Sequence, residues 1–322
     1  MKVGIIGTGM VACTMAETLN KMEGAEPYAV ASRDKRRAEA FAERWGFKKS
    51  FGSYQELAED QETELIYIAT PHSCHYEDAR MCLENGKPVL CEKAFMGNAE
   101  EAKKIVRLAE EKNVFLSEAM WTRYLPARKM IEQIIESGEI GEVTMVTANF
   151  GADLTKIKRI TDPSLAGGAL LDLGVYPLTF ASMVLGNEIE EIITSCVKFE
   201  TGVDSQNSVI LKYRNGAMAS LQSTALAGTD QKGIVYGTKG YLVAEHVNNI
   251  KSIKIYNGER KLIREERAPE QITGFEYELA AAIRAVREGR TECGEMPHAE
   301  SIFIMELMDR LRKEWGVRYP FE

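Results

Sequence analysis

The segment GGALLDLGVYP (167–177) places two side chains that can exchange protons at helical spacing. Asp172 precedes Tyr176 by four residues, so both polar groups lie on one face if the segment is helical. The leucine and valine neighbours indicate a position beside an apolar core. The pair therefore has two interpretations, either a buried hydrogen bond or a catalytic pair in which the phenol acts as general acid and base.

Proton exchange at Tyr176 requires a lowered pKa, because a free tyrosine titrates near pH ~10. A nearby ammonium group favours the phenolate and lowers that value. Lys93 follows a short apolar run that predicts a strand of parallel sheet, and open α/β sheets place their ligands at the carboxyl ends of such strands. For a joint role, the helix carrying Tyr176 must pack across the same cleft.

The opening residues, KVGIIGTGMVA, contain the pattern Gly7-x-Gly9-x-x-Ala12 directly after a predicted strand and at the start of a predicted helix. Glycines permit the tight turn and the close approach of a pyrophosphate, and the small Ala12 permits close packing of helix on strand. Backbone N–H groups at the helix start then face the phosphates. The predicted dinucleotide contacts in this loop are Gly7, Thr8, Gly9, Met10 and Val11.

The tip of the second predicted strand, in ASRDKRRAEAF, determines which dinucleotide the chain prefers. An NAD site usually carries an acidic residue here, whereas this chain has Ser32 and Arg33, with Arg36 and Arg37 nearby. A hydroxyl and a guanidinium group suit a 2′-phosphate, and the position of Asp34 suits a helix cap. We therefore expect NADP, with NAD as the less favoured cofactor; alternatively, the arginines form a solvated helix face.

Two patterns divide the chain near residue 120. The first part alternates short apolar runs with amphipathic segments, which predicts a parallel sheet with helical crossovers. The predicted strands are 3–6, 28–31, 65–69, 89–91 and 114–116, and the predicted helices are 34–45, 76–84 and 99–112. Asp34 and Asn98 suit the caps at helix starts, and Gly86 suits the position after a helix.

The second part changes to mainly antiparallel signals. A helix fits 127–137, strands fit 143–150 and 252–258, and helices are expected near 170–185, 273–288 and 298–314. Residues 207–224 and 233–245 suit hairpins, the first closed by Asn215-Gly216 with two positive-φ residues. We therefore predict an α/β protein: a doubly wound Rossmann domain over 1–120, followed by an α+β domain over 121–322 with a largely antiparallel open sheet, whose final helices can pack back on the first domain.

The segment ATPHSCHYEDARMCLENGKPVLCEKAF (69–95) resembles the glucose–fructose oxidoreductase and inositol dehydrogenase family, Gfo/Idh/MocA. The matching residues are Thr70-Pro71, His75, Gly86-Lys87-Pro88-Val89 and Glu92-Lys93. Two positions depart from the family pattern, since Ala94 replaces the usual proline and His72 replaces a common asparagine. The segments SEAMWTRYLPA and GGALLDLGVYP are most similar to the dihydrodiol dehydrogenase-like branch, and the inositol dehydrogenase branch has histidine at the position of Tyr176.

The resemblance implies roles for particular residues. Lys93 and Tyr176 would form the catalytic pair and Asp172 would support them. Trp121 and Arg123 would line the pocket for nicotinamide or substrate. The further cofactor contacts implied in this way are Thr70, Pro71, His72, His75, Glu92 and Lys93. His246 and His298 belong to no motif and are expected to be structural or surface residues.

These patterns predict an NADP(H)-dependent oxidoreductase that moves hydride between nicotinamide and a sugar-like, diol or dicarbonyl carbon. One alternative is an NAD-linked polyol or inositol-type dehydrogenase. A second is a non-catalytic regulator that senses dinucleotide binding. Retention of both Glu92-Lys93 and Asp172…Tyr176 argues against the regulator, since a sensor needs no proton relay.

Composition limits the partners and the compartment. The net charge of −8 argues against nucleic acid as the main partner. No stretch is expected to reach the ~18 to 20 apolar residues that span a bilayer. The six cysteines lack metal-ligand spacing, so we expect no metal, reduced thiols and a cytoplasmic location.

The predicted second sheet also suggests self-association. SVILKY and MASLQST carry apolar or small residues on both alternating faces, so the face turned away from the helices is not simply solvated. The resembled family commonly pairs through this sheet. We expect a homodimer or a dimer of dimers that uses residues from about 190 to 257.

Overall fold

The computed structural model describes residues 1–322, and the chain forms two compact units. Unit 1 comprises Met1–Met120 and Gln271–Met305, and unit 2 comprises Trp121–Glu270 and Glu306–Glu322. Residues 271–305 therefore follow most of unit 2 in sequence but belong to unit 1 in space.

Fourteen strands and ten α-helices make up the two units. The strands are β1 Lys2–Ile6, β2 Glu26–Ala31, β3 Lys49–Phe51, β4 Leu65–Ile68, β5 Val89–Glu92, β6 Leu116–Ala119, β7 Val143–Gly151, β8 Ile189–Lys198, β9 Asp204–Tyr213, β10 Met218–Thr224, β11 Gly233–Gly237, β12 Gly240–Glu245, β13 Ser252–Asn257 and β14 Leu262–Arg267. The helices are α1 Met10–Lys21, α2 Lys35–Trp45, α3 Tyr54–Glu59, α4 His75–Glu84, α5 Ala99–Lys112, α6 Pro126–Glu136, α7 Lys158–Thr161, α8 Val175–Leu185, α9 Phe275–Arg287 and α10 His298–Trp315. Three short 3₁₀ helices, His72–Cys74, Trp121–Arg123 and Pro163–Leu165, and one π-helix, Leu170–Gly174, complete the set.

Unit 1 is built on a six-stranded parallel sheet in the order β3-β2-β1-β4-β5-β6. This order defines the doubly wound dinucleotide-binding fold, so the predicted fold class is confirmed. The central strands β4 and β5 are buried at every residue. The continuous apolar sequence of β4, LIYI, is what burial on both faces of a parallel sheet requires, and β5 is apolar up to its last residue, Glu92.

Helix caps in unit 1 fall where the sequence predicted them. The Asp34 side chain accepts a hydrogen bond from the Arg36 amide at the start of α2. The Asn98 side chain accepts one from the Glu101 amide at the start of α5, and Gly86, with φ of 71°, follows α4. The Asp34 and Asn98 side chains each satisfy an amide that the first helical turn leaves without a partner.

Unit 2 is built on an eight-stranded sheet in the order β14-β13-β12-β11-β7-β10-β9-β8. Its neighbours are antiparallel except for β7 and β10, which confirms the largely antiparallel sheet. Helix α8 packs on β7, β10 and β11, and Phe180 of α8 is fully buried. A Cβ on Gly233 of β11 would lie 2.6 Å from Cζ of Phe180, so only glycine admits this ring.

Three details differ from the predictions. The strand expected at 114–116 is β6, shifted to Leu116–Ala119, and strands β3, β8 and β14 were not predicted. In the hairpin of β9 and β10 only Gly216 has positive φ, at 85°. Asn215 instead accepts a hydrogen bond from the Ala217 amide through Oδ1, at 3.0 Å. A single glycine therefore closes this turn, and the prediction of two positive-φ residues is wrong.

One stretch, Pro163–Leu185, has the length and apolar composition of a membrane span, contrary to the sequence expectation. Within its most apolar window, 83% of the residues are buried inside the protein. The stretch contains the π-helix and α8, and its apolar character fits the packing of α8 against the second sheet.

Candidate active site

The glycine loop of unit 1 has the backbone that phosphate binding requires. Gly7 has φ of 106°, and a Cβ there would lie 2.7 Å from the carbonyl oxygen of Ala69. Gly9 caps α1 without any side-chain hydrogen bond, and the space beside its Cα is open. The N–H groups of the first turn of α1 therefore have no side-chain cap. This arrangement fits an anionic pyrophosphate group.

The tip of β2 carries the residues predicted to select the dinucleotide. Ser32 is buried, whereas Arg33 and Arg37 are exposed. The Asp34 carboxylate is engaged as the cap of α2, and its own amide donates to Ser32 Oγ at 3.3 Å. The Asp34 carboxylate therefore has a structural partner, whereas the Arg33 and Arg37 side chains near it in sequence are exposed.

The turn after β4 is held from behind by two buried side chains. Thr70 Oγ1 donates to Asp78 Oδ2 at 2.7 Å. The ring of His75 is fully buried and bonds the Thr70 carbonyl through Nε2 at 2.8 Å. Its Nδ1 lies 3.0 Å from the Ala94 carbonyl and 3.1 Å from that of Phe95. His75 thereby lies between the turn after β4 and the turn after β5. Burial lowers the pKa of its ring, so the neutral imidazole donates its single N–H to one of these turns.

Lys93 follows β5 and is partly exposed, next to a buried acid. Glu92 accepts hydrogen bonds from the Tyr67 hydroxyl and, at 3.2 Å, from the Lys93 amide. Glu278 of α9 is fully buried in the same unit, and burial together with the Glu92 charge raises its pKa well above the ordinary value. The Glu92 side chain thus fixes the backbone from which Lys93 extends.

In unit 2 the predicted proton-exchanging pair is helical and buried. Asp172 lies in the π-helix and Tyr176 in α8, which continues it, with 5% and 7% of their surfaces exposed. Trp121 Nε1 donates to Tyr176 Oη at 3.3 Å. The Phe150 and Tyr176 rings lie 5.0 Å apart between centroids. Two aromatic side chains therefore contact the phenol.

Asp172 has a cationic partner that the sequence did not single out. Arg159 Nη1 donates to Asp172 Oδ1 at 2.5 Å, from a side chain that is 39% exposed. Arg159 lies in α7, thirteen residues before Asp172, so no short-range spacing indicates the pair. Phe150 was likewise missed, since its sequence position indicates only the end of a strand.

The sites predicted from the sequence thus form two groups. In unit 1, the glycine loop, Ser32, Arg33, Arg37, Thr70, Pro71, His72, His75, Glu92 and Lys93 follow the carboxyl ends of β1, β2, β4 and β5. These ends share one edge of a parallel sheet, where such folds bind nucleotides. In unit 2, Trp121, Asp172 and Tyr176 are joined by Phe150 and Arg159, and the buried Arg123 belongs to the same 3₁₀ helix as Trp121.

Other candidate groups take no visible part in this chemistry. His246 is exposed, and its Nδ1 lies 3.5 Å from Gln231 Oε1. His298 is buried, with Nε2 on the Leu116 carbonyl at 2.8 Å. The six cysteines form no disulfide, and no cluster of His, Cys, Asp and Glu side chains is placed to hold a metal ion.

Family comparisons agree with this architecture. Residues 1–120 match the oxidoreductase family with an NAD-binding Rossmann fold, and residues 129–243 match the GFO/IDH/MocA C-terminal domain. Trans-1,2-dihydrobenzene-1,2-diol dehydrogenase of Mus musculus is 36% identical over 333 residues, covering 99% of this chain and 98% of the mouse protein. The chain belongs to the GFO/IDH/MocA oxidoreductase family and is an NAD(P)-dependent enzyme, which favours catalysis over a purely regulatory role.

Two solved structures resemble the whole chain. KijD10, a 3-ketoreductase from Actinomadura kijaniata in complex with NADP and TDP-benzene, has a TM-score of 0.87 and 26% identity, covering 97% of each chain. Levoglucosan dehydrogenase in complex with NADH and L-sorbose has a TM-score of 0.88, with 98% of this chain and 96% of that chain covered. Its identity of 19% supports the fold alone.

Asp78, behind the turn after β4, provides a pH-dependent test of the site. Burial raises its pKa from 3.8 to about 6. Between these values the folded protein keeps a proton that the unfolded chain has released, so this group lowers stability as pH rises through the window. Relative to wild type, Asp78→Asn should gain up to ~3 kcal/mol in free energy of unfolding between about pH 4 and pH 7.

Urea unfolding at a series of pH values measures this difference. Asp78→Asn keeps an oxygen that can accept from Thr70, so loss of that hydrogen bond does not obscure the result. Asp230→Asn, at an exposed carboxylate of unit 2, is the control and should parallel wild type. A stability difference for Asp78→Asn that does not change with pH would contradict the assignment.

Proposed function

We propose that the protein is an NADP(H)-dependent dehydrogenase or reductase in which Tyr176 is the general acid and base. The observation that carries this proposal is the Tyr176 hydroxyl itself, which is buried, in contact with Trp121 and Phe150, and one turn beyond Asp172. A phenol in this setting can exchange a proton while its surroundings exclude water.

Each residue of the proposed centre has a separate task. When bound, the nicotinamide supplies or accepts the hydride. Tyr176 gives its proton to the substrate oxygen during reduction and takes one during oxidation. Lys93 polarises that oxygen and favours the phenolate by its charge. Asp172, held by Arg159, orients Lys93 or a substrate hydroxyl.

The relatives support a substrate with a carbonyl or a secondary alcohol. The mouse relative is named for a dihydrodiol, and KijD10 is a ketoreductase. KijD10 has also been crystallised with NADP as a lysine-to-alanine and as a tyrosine-to-phenylalanine variant. These are the residue types of Lys93 and Tyr176. We therefore favour a sugar-like, diol or dicarbonyl substrate, in a reducing compartment such as the cytoplasm, which suits six cysteines that form no disulfide.

Replacement of Tyr176 by phenylalanine tests the role of its hydroxyl. Tyr176→Phe keeps the ring and its aromatic contacts but deletes the proton. With trans-1,2-dihydrobenzene-1,2-diol and NADP, or with a dicarbonyl and NADPH, kcat should fall by ~10²-fold or more. The melting temperature and the affinity for NADP should change little. Tyr28→Phe is the matched control, since Tyr28 is 3% exposed and its hydroxyl bonds Glu62 in unit 1. Early melting with retained turnover would mean that the Tyr176 hydroxyl is structural.

The preference for NADP rests on the tip of β2. Arg33 and Arg37 are exposed guanidinium groups, and Asp34 is committed to the cap of α2. A carboxylate free to accept from the ribose 2′-hydroxyl, as NAD sites usually provide, is absent from this tip. Charge-assisted hydrogen bonds from arginine to a 2′-phosphate would then discriminate between the cofactors.

Removal of Arg33 tests this preference. Such bonds contribute about 1.5 to 3 kcal/mol, so Arg33→Ala should weaken NADP binding by roughly tenfold or more. NAD binding should barely change, because NAD lacks the 2′-phosphate. Titration calorimetry or cofactor fluorescence gives both constants. Arg44→Ala in the last turn of α2 removes an equal charge elsewhere on the same helix and should affect neither. Equal losses for both cofactors would contradict NADP selection at this position.

We also propose that the second sheet pairs with its counterpart in a second copy. One register row crosses six strands of this sheet and carries mainly apolar side chains. The row consists of Met218, Met145, Tyr236, Tyr241, Tyr256 and Leu262. Met145, Met218 and Leu262 remain 40%, 42% and 52% exposed, and the rings of Tyr241 and Tyr256 stack at 4.7 Å. The three tyrosines of the row are half-buried, and a continuous row of exposed and half-buried apolar side chains of this extent is typical of an interaction surface.

Light scattering at micromolar concentration tests the pairing. Wild type should have a mass of twice 36.0 kDa, or four times in a dimer of dimers. Tyr241→Glu places a charge in the middle of the row and should shift the protein toward monomer. Ile157→Glu, at a residue that is 41% exposed in a loop of the same unit, is the control. A wild-type monomer, or unchanged association in Tyr241→Glu, would oppose the proposed surface.

A further inference from the structure

The turn Gly167–Gly168 leads into the helical segment that carries Asp172 and Tyr176. Gly168 has φ of 118°, and a Cβ on it would collide with Oδ1 of Asp204. A Cβ on Gly167 would lie 2.6 Å from the Ile160 carbonyl oxygen. The turn is therefore enclosed on both residues, and only glycine fits. Whatever fixes this turn also fixes where the π-helix begins.

Asp204 of β9 binds the start of that helical segment. Its side chain is fully buried, and Oδ2 accepts from the Leu170 amide at 2.8 Å and from Asn207 Nδ2 at 3.0 Å. A carboxylate at this position caps the first turn two residues before Asp172, where acids stabilise a helix. Burial raises the pKa of Asp204 to about 6, and the Arg312 guanidinium opposes this rise.

The residues after α10 bind the same turn from another direction. We call 316–322 the Tyr319 segment. The Tyr319 hydroxyl donates to the Gly167 carbonyl at 2.8 Å, and the residue is 3% exposed. Arg312 of α10 lies over the Tyr319 ring at 4.3 Å and bonds Glu322 at 2.7 Å. Glu322 also accepts a hydrogen bond from the Tyr319 amide at 3.0 Å. Arg312 and Glu322 therefore fix the ring and the backbone of Tyr319, and with them the position of its hydroxyl.

We infer that Asp204 and Tyr319 are positioning residues that set the Gly167–Gly168 turn, and with it the location of Asp172 and Tyr176. The inference rests on the proposed role of Tyr176. It extends that role to Asp204, 32 positions beyond Asp172, and to Tyr319, more than a hundred residues further along the chain. A misplacement of reacting groups by about 1 Å can cost ~10²-fold in rate, so a hydrogen bond outside the centre can control turnover.

Tyr319 is a more selective target for mutation than Asp204. Tyr319→Phe keeps the ring beneath Arg312 and removes only the hydrogen bond to the Gly167 carbonyl. Tyr28→Phe is again the matched control, with equal exposure and a hydroxyl bond within unit 1. The full-length variants are compared by hydrogen exchange in peptides covering 165–178, by melting temperature and by steady-state kinetics with trans-1,2-dihydrobenzene-1,2-diol and NADP. Kinetics are run well below every melting temperature.

In Tyr319→Phe, exchange over 165–178 should accelerate roughly threefold to tenfold, the effect of one lost neutral hydrogen bond. The kcat should fall at least threefold while KM for NADP stays constant. In Tyr28→Phe both exchange over 165–178 and kcat should match wild type. Tyr319→Leu also lacks the hydroxyl donor. Its exchange rate over 165–178 and its kcat should therefore be no closer to wild type than those of Tyr319→Phe.

Two outcomes overturn the inference separately from the proposed function. Unchanged exchange over 165–178 in Tyr319→Phe would mean that the Tyr319 segment does not fix the turn. Faster exchange with unchanged kcat, in a protein that Tyr176→Phe inactivates, would mean that the bond supports the fold but does not position the centre. If Tyr176→Phe keeps its turnover, the proposed function fails, whereas the exchange data still decide whether Tyr319 fixes the turn.

Discussion

A buried polar group without a partner costs about 1 to 3 kcal/mol, and this penalty governs the arrangement of both parts of the candidate site. Asp172, Tyr176 and Glu92 are each less than 8% exposed, and His75 is fully buried. Arg159 bonds Asp172, and Trp121 bonds Tyr176. Tyr67 bonds Glu92, and backbone carbonyls bond His75. Because these bonds fix rotamers, the groups that could act on a substrate are oriented before it binds.

The start of α1 differs from these bonded groups, because its first amides have no side-chain partner as a cap. Helices α2 and α5 have side-chain caps from Asp34 and Asn98, whereas α1 begins at Gly9 with none. A cap on α1 would satisfy its amides and fill the space that Gly9 leaves open. The missing cap leaves an anion as the natural partner of these N–H groups, which accounts for the glycine requirement at this one helix.

Sequence reasoning succeeded where the signal is local. Helix α5 was predicted at its observed bounds because Asn98 caps it and its apolar residues recur at helical spacing. Strand β14, with the sequence LIREER, is an exposed edge whose polar residues give no strand pattern, and β3 has only three residues. In the candidate site, Asp172 and Tyr176 share a local spacing, so the sequence indicated them as a pair. Arg159, Asp204 and Tyr319 reach the same segment through the fold, and no local pattern connects them.

Asp34 shows how one side chain links cofactor choice to local stability. Its carboxylate lies close to the position where NAD sites hold an acid, yet it accepts the Arg36 amide as the cap of α2. Turning toward a ribose would forfeit the cap, a loss of ~1 kcal/mol, and would bring a negative charge to the place a 2′-phosphate would occupy. Kept in the cap, the same carboxylate stabilises α2 and leaves the outer surface of the tip to Arg33 and Arg37. Helix capping and the proposed attraction of a 2′-phosphate would thus favour one conformation, and a change at Asp34 would alter both together.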